Sequence, residues 1–229
     1  MITFPISGVE TYWWLPAVVA MLVSAITSTG GLSGAFVLLP FQVSVLRFSG
    51  PAVSPTNLLF NIVAIPTGIW RFYREGRIVW PLAGVIIAGT LPGVLAGVYI
   101  RVRLLPDPRS FKLFVGAVLA YVAVRLIQSM LSRKSPNQSK HSQAGDFTVS
   151  RSRLNWRELS YYFAGQTHTA PTWGVLLLTG IVGIIGGTYG IGGGAIIAPF
   201  LVSVWQLPVY TVAGAALLST FVTSIVGVL

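Results

Sequence analysis

The sequence predicts an all-α integral membrane protein with two homologous multi-helix repeats, each containing a broken or re-entrant glycine-rich helix. Three observations lead to this fold class: the apolar composition, a series of apolar segments of helical length, and an internal duplication. Of the 229 residues, 54% are hydrophobic and only 9% are charged, whereas soluble domains carry about 25% charged residues. The composition therefore indicates a polytopic membrane protein that is surrounded by the lipid bilayer.

Apolar segments of helical length follow one another along most of the chain. None alternates in the manner of a barrel strand, and a helix needs about 20 apolar residues to cross a bilayer. The segments 34–48 and 195–206 are too short to cross upright, which predicts broken, tilted or re-entrant elements. The segments are approximately 12–28, 34–48, 53–71, 79–100, 111–131, 173–187, 195–206 and 209–229.

An internal repeat relates two parts of the chain. When the sequence is shifted by 159 residues, 13 of the 40 positions from Thr29 to Gly68 are identical without a gap. Aligned glycines and prolines are hard to obtain by chance, even in apolar sequence. The repeat predicts a first transmembrane repeat at 1–131 and a second at 173–229. The identities include Gly31 with Gly190, Gly34 with Gly193, Pro40 with Pro199 and Phe41 with Phe200.

The second repeat is shorter than the first. It stops inside an apolar run, before the counterparts of the last two helices of the first repeat, so the sequence predicts that the second repeat is truncated. The relative orientation of the repeats depends on whether the segment 34–48 crosses the membrane. Parallel and inverted arrangements both stay open, because transporters use both.

Residues 132–172 form a long polar stretch, which predicts a flexible, basic linker. Its last part, LNWRELSYYF, predicts an interfacial helix with Trp156, Tyr161 and Tyr162 at headgroup depth. Cytoplasmic loops are enriched in Lys and Arg, and nine such residues lie in 71–77 and the linker against four in the loop at 101–112. The linker is therefore predicted to be cytoplasmic, in a multi-pass protein of the cytoplasmic (inner) membrane.

Several function classes are disfavoured by residues that the apolar segments lack. The five acidic residues and both histidines lie in loops, termini or the linker, and the chain has no cysteine. A catalytic triad, a metal site and an acidic proton relay therefore lack their usual side chains. We expect no enzyme activity, metal or cofactor. The net charge of +10 comes mainly from loops, so it indicates attraction to anionic headgroups rather than binding to nucleic acid.

The stretch TYGIGGGAIIAPF at 188–200 has four glycines in five positions. It matches the dinucleotide pattern G-x-G-x-x-G/A, but that fingerprint needs a preceding strand and an acidic residue about 20 positions later. No Asp or Glu follows Glu158. Two interpretations remain: small residues let helices pack closely, or a broken helix exposes N–H groups that attract an anion. Breaks in both repeats favour an anion site between the repeats.

Neutral polar side chains in the following segment can complete such a site. Asn57 and Asn61 are four residues apart on one helix face, and hydroxyls occupy similar places in the second repeat. Interhelical hydrogen bonding is an equally open interpretation of each residue. Arg47 is a candidate for steering anions. The candidate anion-binding residues are Gly30, Gly31, Gly34, Thr56, Asn57, Asn61, Gly190, Gly192, Gly193, Gly194, Ser219 and Thr220.

The two glycine motifs resemble those of the sulfite exporter TauE/SafE family. The stretch YGIGGGAIIAPFLVSVWQLPVYTVAGAALLSTF is similar to the family signature G-x-G-G-G-x-x-x-x-P-x-L and the A-x-x-T/S-S region after it. TGGLSGAFVLLPF resembles the N-terminal copy. The resemblance implies a multi-helix transporter that exports small sulfur-containing anions such as sulfite or organosulfonates. The alternative is a non-transporting membrane scaffold or partner subunit that uses the basic linker.

Overall fold

Eight helices account for most of the residues that the structure describes. The computed structural model describes residues 2–4, 9–29, 33–48, 52–104, 107–131, 148–194 and 196–228. Each of the predicted apolar segments overlaps one of the helices. The helices are α1 (Leu15–Thr29), α2 (Gly34–Ser44), α3 (Val53–Arg74), α4 (Trp80–Arg103), α5 (Pro108–Leu131), α6 (Thr172–Tyr189), α7 (Ile197–Trp205) and α8 (Val209–Val228).

Within the described residues, three helices are long and apolar enough to cross a membrane. By length and composition these are α4, α6 and α8, with mean hydropathies of 1.9, 1.5 and 1.8. In contrast, α2 and α7 have only 11 and 9 residues, which corresponds to about 16 and 14 Å of helix. The hydrocarbon core is about 30 Å thick. The prediction of a mostly helical membrane protein is confirmed.

Glycines allow α4 and α6 to pack closely along their lengths. Gly89, Gly93 and Gly97 of α4 face successively later residues of α6, so the two helices run parallel. A methyl group added at Gly97 would lie 2.2 Å from the carbonyl oxygen of Ile184, and one at Gly187 would meet the backbone of α4. Small residues let membrane helices approach in this way. The contact fixes α6, and therefore the position of the loop that follows it.

Helix α8 packs against both α3 and α4. The contacts between α3 and α8 pair early residues with late ones: Leu58 lies against Gly227, and Gly68 lies against Leu217. The two helices are therefore antiparallel. On the α4 side, the hydroxyl oxygens of Thr90 and Ser219 are 3.0 Å apart and both side chains are buried. Polar residues of α8 thus face the interior of the bundle.

Helix α7 returns to the end of the bundle at which α6 begins. A methyl group added at Gly174, in the first turn of α6, would lie 3.1 Å from the ring of Trp205 at the end of α7. The two helices therefore form a hairpin, and the glycine-rich loop after Tyr189 is its tip. The three residues Gln206–Pro208 then lead into α8. The hairpin places the glycine loop in the interior, and the chain returns through α7 to the end of the bundle at which α6 begins.

The described residues also contain five short strands, which the all-α prediction missed. Two form an antiparallel pair near the N-terminus, and three form an antiparallel sheet within the predicted linker. The strands are β1 (Ile2–Phe4), β2 (Val9–Thr11), β3 (Ser150–Leu154), β4 (Glu158–Phe163) and β5 (Gln166–Pro171). Of the predicted linker, residues 148–171 are therefore folded, and 132–147 lie outside the described residues.

The prediction of an interfacial helix at LNWRELSYYF is wrong, because this segment has the alternation of a strand. Leu159, Tyr161 and Phe163 are buried and alternate with more exposed residues. Ala164 and Gly165 follow with φ of 50° and 82°, the positive values that a tight two-residue hairpin turn requires. Of the three aromatic residues predicted at headgroup depth, Tyr161 lies on the buried face of β4, whereas Trp156 precedes the strand and Tyr162 lies on its other face, and both are exposed.

The three-stranded sheet lies against the same end of the bundle as the start of α8. The hydroxyl oxygens of Tyr161 and Thr211 are 2.8 Å apart, and the Val149 N–H donates to the Gly76 carbonyl at 2.8 Å. Burial raises the pKa of Tyr161 to about 12, opposed in part by its hydrogen bond with Thr211. Burial lowers the pKa of His168, opposed in part by the hydrogen bond that its ring makes with the backbone of Phe163. Both rings are therefore neutral at neutral pH.

The close contact between α4 and α6 predicts different effects for two glycines of α4. Gly97→Ala should lower the free energy of unfolding by roughly 1–3 kcal/mol, because the added methyl group overpacks the contact. Gly84→Ala is the matched control, since its new methyl group meets nothing within 4 Å, and it should leave stability unchanged or slightly higher. Thermal unfolding in detergent measures both. Equal transition temperatures for the two variants would contradict the packing.

Candidate functional site

The glycine-rich loop begins where α6 ends. Gly190 has φ of 77° and terminates α6, with its N–H donating to the Gly186 carbonyl at 2.9 Å. Gly192 has φ of 82°, so both positions favour glycine over residues with a side chain. The loop also approaches α3 closely, because a methyl group at Gly190 would lie 2.4 Å from the Cβ of Ser54. Backbone groups of the loop therefore reach the interior directly.

Asn61 of α3 binds the glycine loop and the start of α2 at the same time. Its Nδ2 donates to the Ile191 carbonyl at 2.7 Å and to Ser224 Oγ at 3.2 Å. Its Oδ1 accepts a hydrogen bond from Ser33 Oγ. Ser33 is also the N-cap of α2 and accepts from the Ala35 N–H at 3.2 Å. Asn61 is fully buried, so this amide links the two glycine regions of the chain.

Hydroxyl groups of α8 support the other side of the loop. The Gly193 N–H donates to Thr223 Oγ1 at 3.1 Å. A methyl group at Gly194 would lie 2.2 Å from the Ala216 carbonyl oxygen and 2.5 Å from Thr220 Oγ1. Thr220 itself donates to the Ala216 carbonyl at 2.8 Å. The loop is thus seated on α8 by backbone contacts that only glycine permits.

Three buried polar groups beside the loop have no hydrogen-bond partner among the described residues. They are both amide atoms of Asn57, Ser54 Oγ and the hydroxyl of Tyr189. Asn57 is 0% exposed and lies one turn from Asn61 on the same face of α3. Ser54 lies one turn further along and touches Gly190, the residue after Tyr189. An unpaired buried polar group costs about 1–3 kcal/mol, so each of these three groups needs a physical explanation.

A cavity of about 480 Å³ runs along α3 from this region to one end of the bundle. Its inner part is lined by Ser33, Gly34 and Asn61, and its mouth by Arg71, Glu75 and Arg77. The 14 residues from Asn61 to Glu75 correspond to about 21 Å along a helix. The contact between Ser33 and Asn61 therefore lies between the cavity and the unpaired group on Asn57.

Comparison with protein families identifies the chain. The family described as "Sulfite exporter TauE/SafE" matches residues 16–229. The chain belongs to the TauE/SafE sulfite exporter family. The resemblance of its glycine motifs to this family is therefore confirmed, and the chain is an anion-exporter type of membrane transporter. Comparisons with curated proteins and with solved structures gave no match.

Most of the residues predicted for the site in this TauE/SafE chain lie together. The loop glycines contact α3 or α8, Gly34 lines the cavity, and the others are buried on the facing sides of α3 and α8. The residues brought together are Gly34, Asn57, Asn61, Gly190, Gly192, Gly193, Gly194, Ser219 and Thr220. Gly30 and Gly31 lie outside the described residues.

Thr56 is not brought to the site. It is exposed, and its hydroxyl donates to the Ala52 carbonyl of the preceding turn at 2.7 Å. One residue corresponds to about 100° around a helix, so Thr56 lies on a different face from Asn57. Sequence patterns alone did not single out Ser33, Ser54 or Tyr189. Ser54 could have been found, because it continues the polar face of Asn57 and Asn61 towards the start of α3.

Arg47 lies at a second, separate cavity of about 360 Å³ together with Lys112. This cavity is lined by the end of α2 and the start of α5. Arg47 is exposed there and does not line the cavity that reaches Asn61. The described residues contain no group of three His, Asp or Glu that could hold a metal ion.

The different partners of Asn57 and Asn61 predict different costs of substitution. Asn57→Ala and Asn61→Ala remove the same atoms from fully buried positions one turn apart, so the packing loss is matched. Asn61→Ala also leaves Ile191 O, Ser224 Oγ and Ser33 Oγ without their partner. It should therefore lower the free energy of unfolding by roughly 1–3 kcal/mol more than Asn57→Ala does. Thermal unfolding in detergent tests this; equal losses would show that the Asn61 contacts add nothing.

Proposed function

We propose that this TauE/SafE protein exports small, singly charged oxyanions, such as hydrogensulfite or organosulfonates, across the cytoplasmic membrane. The proposed site lies beside the glycine loop, between α3, α6 and α8. The observation that carries the proposal is the fully buried amide of Asn57, neither atom of which has a partner among the described residues. A natural structure keeps such a group in its interior when a bound molecule satisfies it.

The chemistry of the unpaired groups supports an oxyanion as the ligand. Ser54 and Tyr189 each offer an O–H donor, and Asn57 offers two N–H donors and one acceptor oxygen. Oxygen atoms of a sulfonate or hydrogensulfite accept such hydrogen bonds. Hydrogensulfite can also donate its proton to Asn57 Oδ1. Within the described residues, the α3 face that holds Asn57 and Ser54 carries no ionisable group from Val53 to Trp70, so this face offers only neutral dipoles to a ligand.

The absence of a fixed charge at this face favours anions with one negative charge over those with two. The free energy needed to remove an ion from water rises with the square of its charge. Hydrogen bonds from neutral donors offset only part of this free energy. A dianion such as sulfate would need a nearby cation in a low-dielectric interior. The proposed site therefore discriminates between anions first by their charge and only then by their shape.

The internal duplication provides a route for alternating access. In the proposed arrangement, α1–α3 and α6–α8 are inverted repeats, with each glycine loop at the tip of a re-entrant hairpin. The antiparallel packing of α3 and α8 supports this, because the 159-residue shift aligns these two helices. Movement of one repeat against the other would open the contact between Ser33 and Asn61. The anion could then pass between the cavity and Asn57.

The proposed direction of access follows from the basic residues. The cavity mouth contains Arg71, in the last turn of α3, and Arg77, in the loop after it, and the charge distribution assigns this end of α3 to the cytoplasm. The cavity of this structure is then open to the cytoplasm, which is the side from which an exporter takes up its substrate. The sheet formed by residues 150–171 belongs to the same side, since Val149 is hydrogen-bonded to Gly76.

Transport of labelled sulfite into inverted membrane vesicles tests the function. The wild-type chain should give uptake above vector vesicles, and Asn57→Ala should reduce the initial rate by about 10- to 100-fold, the effect of losing a hydrogen bond to a charged ligand. Thr56→Val is the control, because Thr56 lies on another face of the same helix. No wild-type uptake of any small oxyanion would reject transport and favour the scaffold alternative. A normal rate in Asn57→Ala would remove Asn57 from the site.

Charge selectivity gives a second test of the same site. Raising the pH through the second ionisation of sulfurous acid converts hydrogensulfite into sulfite, so the uptake rate at constant total substrate should fall with the monoanion fraction. Methanesulfonate is singly charged over this range, and its uptake should stay constant. Competition measurements should show that sulfate inhibits far less than methanesulfonate. If sulfate competes equally well, the site does not discriminate by charge.

A further inference from the structure

We propose that Arg71 and Arg77 form a second oxyanion-binding subsite at the mouth of the cavity, with Glu75 as its built-in competitor. This inference rests on the proposed function, because the subsite would deliver anions toward Asn57. The ligand class is a small oxyanion with at least two exposed oxygen atoms. Binding at the mouth would exchange readily with solution, unlike binding at the buried amide.

The ion pairs at the mouth place one carboxylate between two guanidinium groups. Arg71 Nε lies 3.0 Å from Glu75 Oε1, and Arg77 Nη1 lies 3.0 Å from Glu75 Oε2. All three side chains line the same cavity. The carboxylate thus occupies the position that oxygen atoms of an incoming anion would take. Each of its two oxygens contacts a different arginine, and two oxygens of a sulfonate or sulfite could make the same two contacts.

Arg77 retains hydrogen-bonding capacity beyond its ion pair. Its Nε is buried and has no partner among the described residues, although its Nη1 is bound to Glu75. The guanidinium carbon also lies 5.4 Å from the centre of the Tyr210 ring, at the start of α8. Stacking on an aromatic ring orients a guanidinium while leaving its N–H edge available. A planar pair of oxygens can then bind this edge in a bidentate manner.

The charges and exposures make displacement of Glu75 possible. The charged side chains lining the described cavity are the two arginines and the one glutamate, so the mouth keeps a net positive charge. The side chains of Arg71, Arg77 and Glu75 are 78%, 26% and 30% exposed. Ion pairs that water reaches contribute little to stability. An anion can therefore replace the carboxylate without disrupting a buried pair.

Arg74 provides a matched control within the same turn of α3. It is exposed and does not line the cavity, so Arg74→Gln removes the same charge from the same end of the bundle. Arg77→Gln removes the partly buried guanidinium, and Arg77→Lys keeps its charge while removing the bidentate edge. Glu75→Gln keeps the size of the competitor while removing its charge. Comparison of these variants separates a defined subsite from a general surface potential.

Equilibrium titration of the purified full-length chain with methanesulfonate tests the subsite. The titration is performed in the Asn57→Ala background, so that the inner site does not contribute. Glu75→Gln should tighten binding about fivefold, because the competing carboxylate is neutralised. Arg77→Gln and Arg77→Lys should weaken binding about tenfold, because a bidentate charged contact is lost. Arg74→Gln should leave affinity unchanged, and added salt should weaken binding.

The outcomes distinguish the subsite from the proposed function. Unchanged or weaker binding in Glu75→Gln would overturn the competitor role, and equal effects of Arg74→Gln and Arg77→Gln would overturn the subsite. If the wild-type chain transports oxyanions but shows either result, the subsite is rejected and transport stands. If the binding pattern is found but vesicles show no uptake, the subsite stands and transport is rejected. Thermal unfolding of each variant confirms that the binding changes occur in folded protein.

Discussion

The buried amide of Asn61 is the contact on which the arrangement of the site depends. It donates to Ile191 O and Ser224 Oγ, and it accepts from Ser33 Oγ. In an interior from which water is excluded, each of these groups would otherwise be left unpaired at considerable cost. One side chain therefore fixes the glycine loop, the start of α2 and the face of α8. The position of the unpaired Asn57 follows from it, since the two residues lie one turn apart on a rigid helix.

The sequence predicted the helices well, for physical reasons that are local. Bilayer thickness sets the length of an apolar segment, and a glycine cluster interrupts a helix wherever it occurs. The roles of the individual polar residues could not be predicted in this way. Asn57 and Asn61 are indistinguishable by residue type and spacing, but the partners of Asn61 lie 130 and 163 residues away along the chain. Only tertiary packing decides which of the two amides is satisfied.

The sheet and the cavity mouth escaped prediction for a different reason. Leu159, Tyr161 and Phe163 have the alternation of a strand, but they lie in a short segment whose aromatic residues also suit a membrane interface. Glu75, in turn, is an ordinary loop acid in the sequence. The structure gives it a specific environment, because its carboxylate oxygens lie 3.0 Å from nitrogen atoms of two arginines beside a cavity. Features that depend on the meeting of loops and helix ends carry no strong sequence signal.

If Asn57 binds the anion as proposed, the separation between the charged mouth and the neutral amide has a physical reason in the empty state of the site. A guanidinium at the position of Asn57 would attract an anion strongly, but it would need a counter-ion in a low-dielectric interior each time the anion left. An unpaired amide costs only about 1–3 kcal/mol in the empty state, so binding and release stay closely balanced. Cations are tolerated at the mouth, where water screens them and Glu75 neutralises part of their charge. In the proposed mechanism, the neutral amide of Asn57 keeps the cost of the empty site low, while Arg71 and Arg77 at the mouth raise the local concentration of the anion.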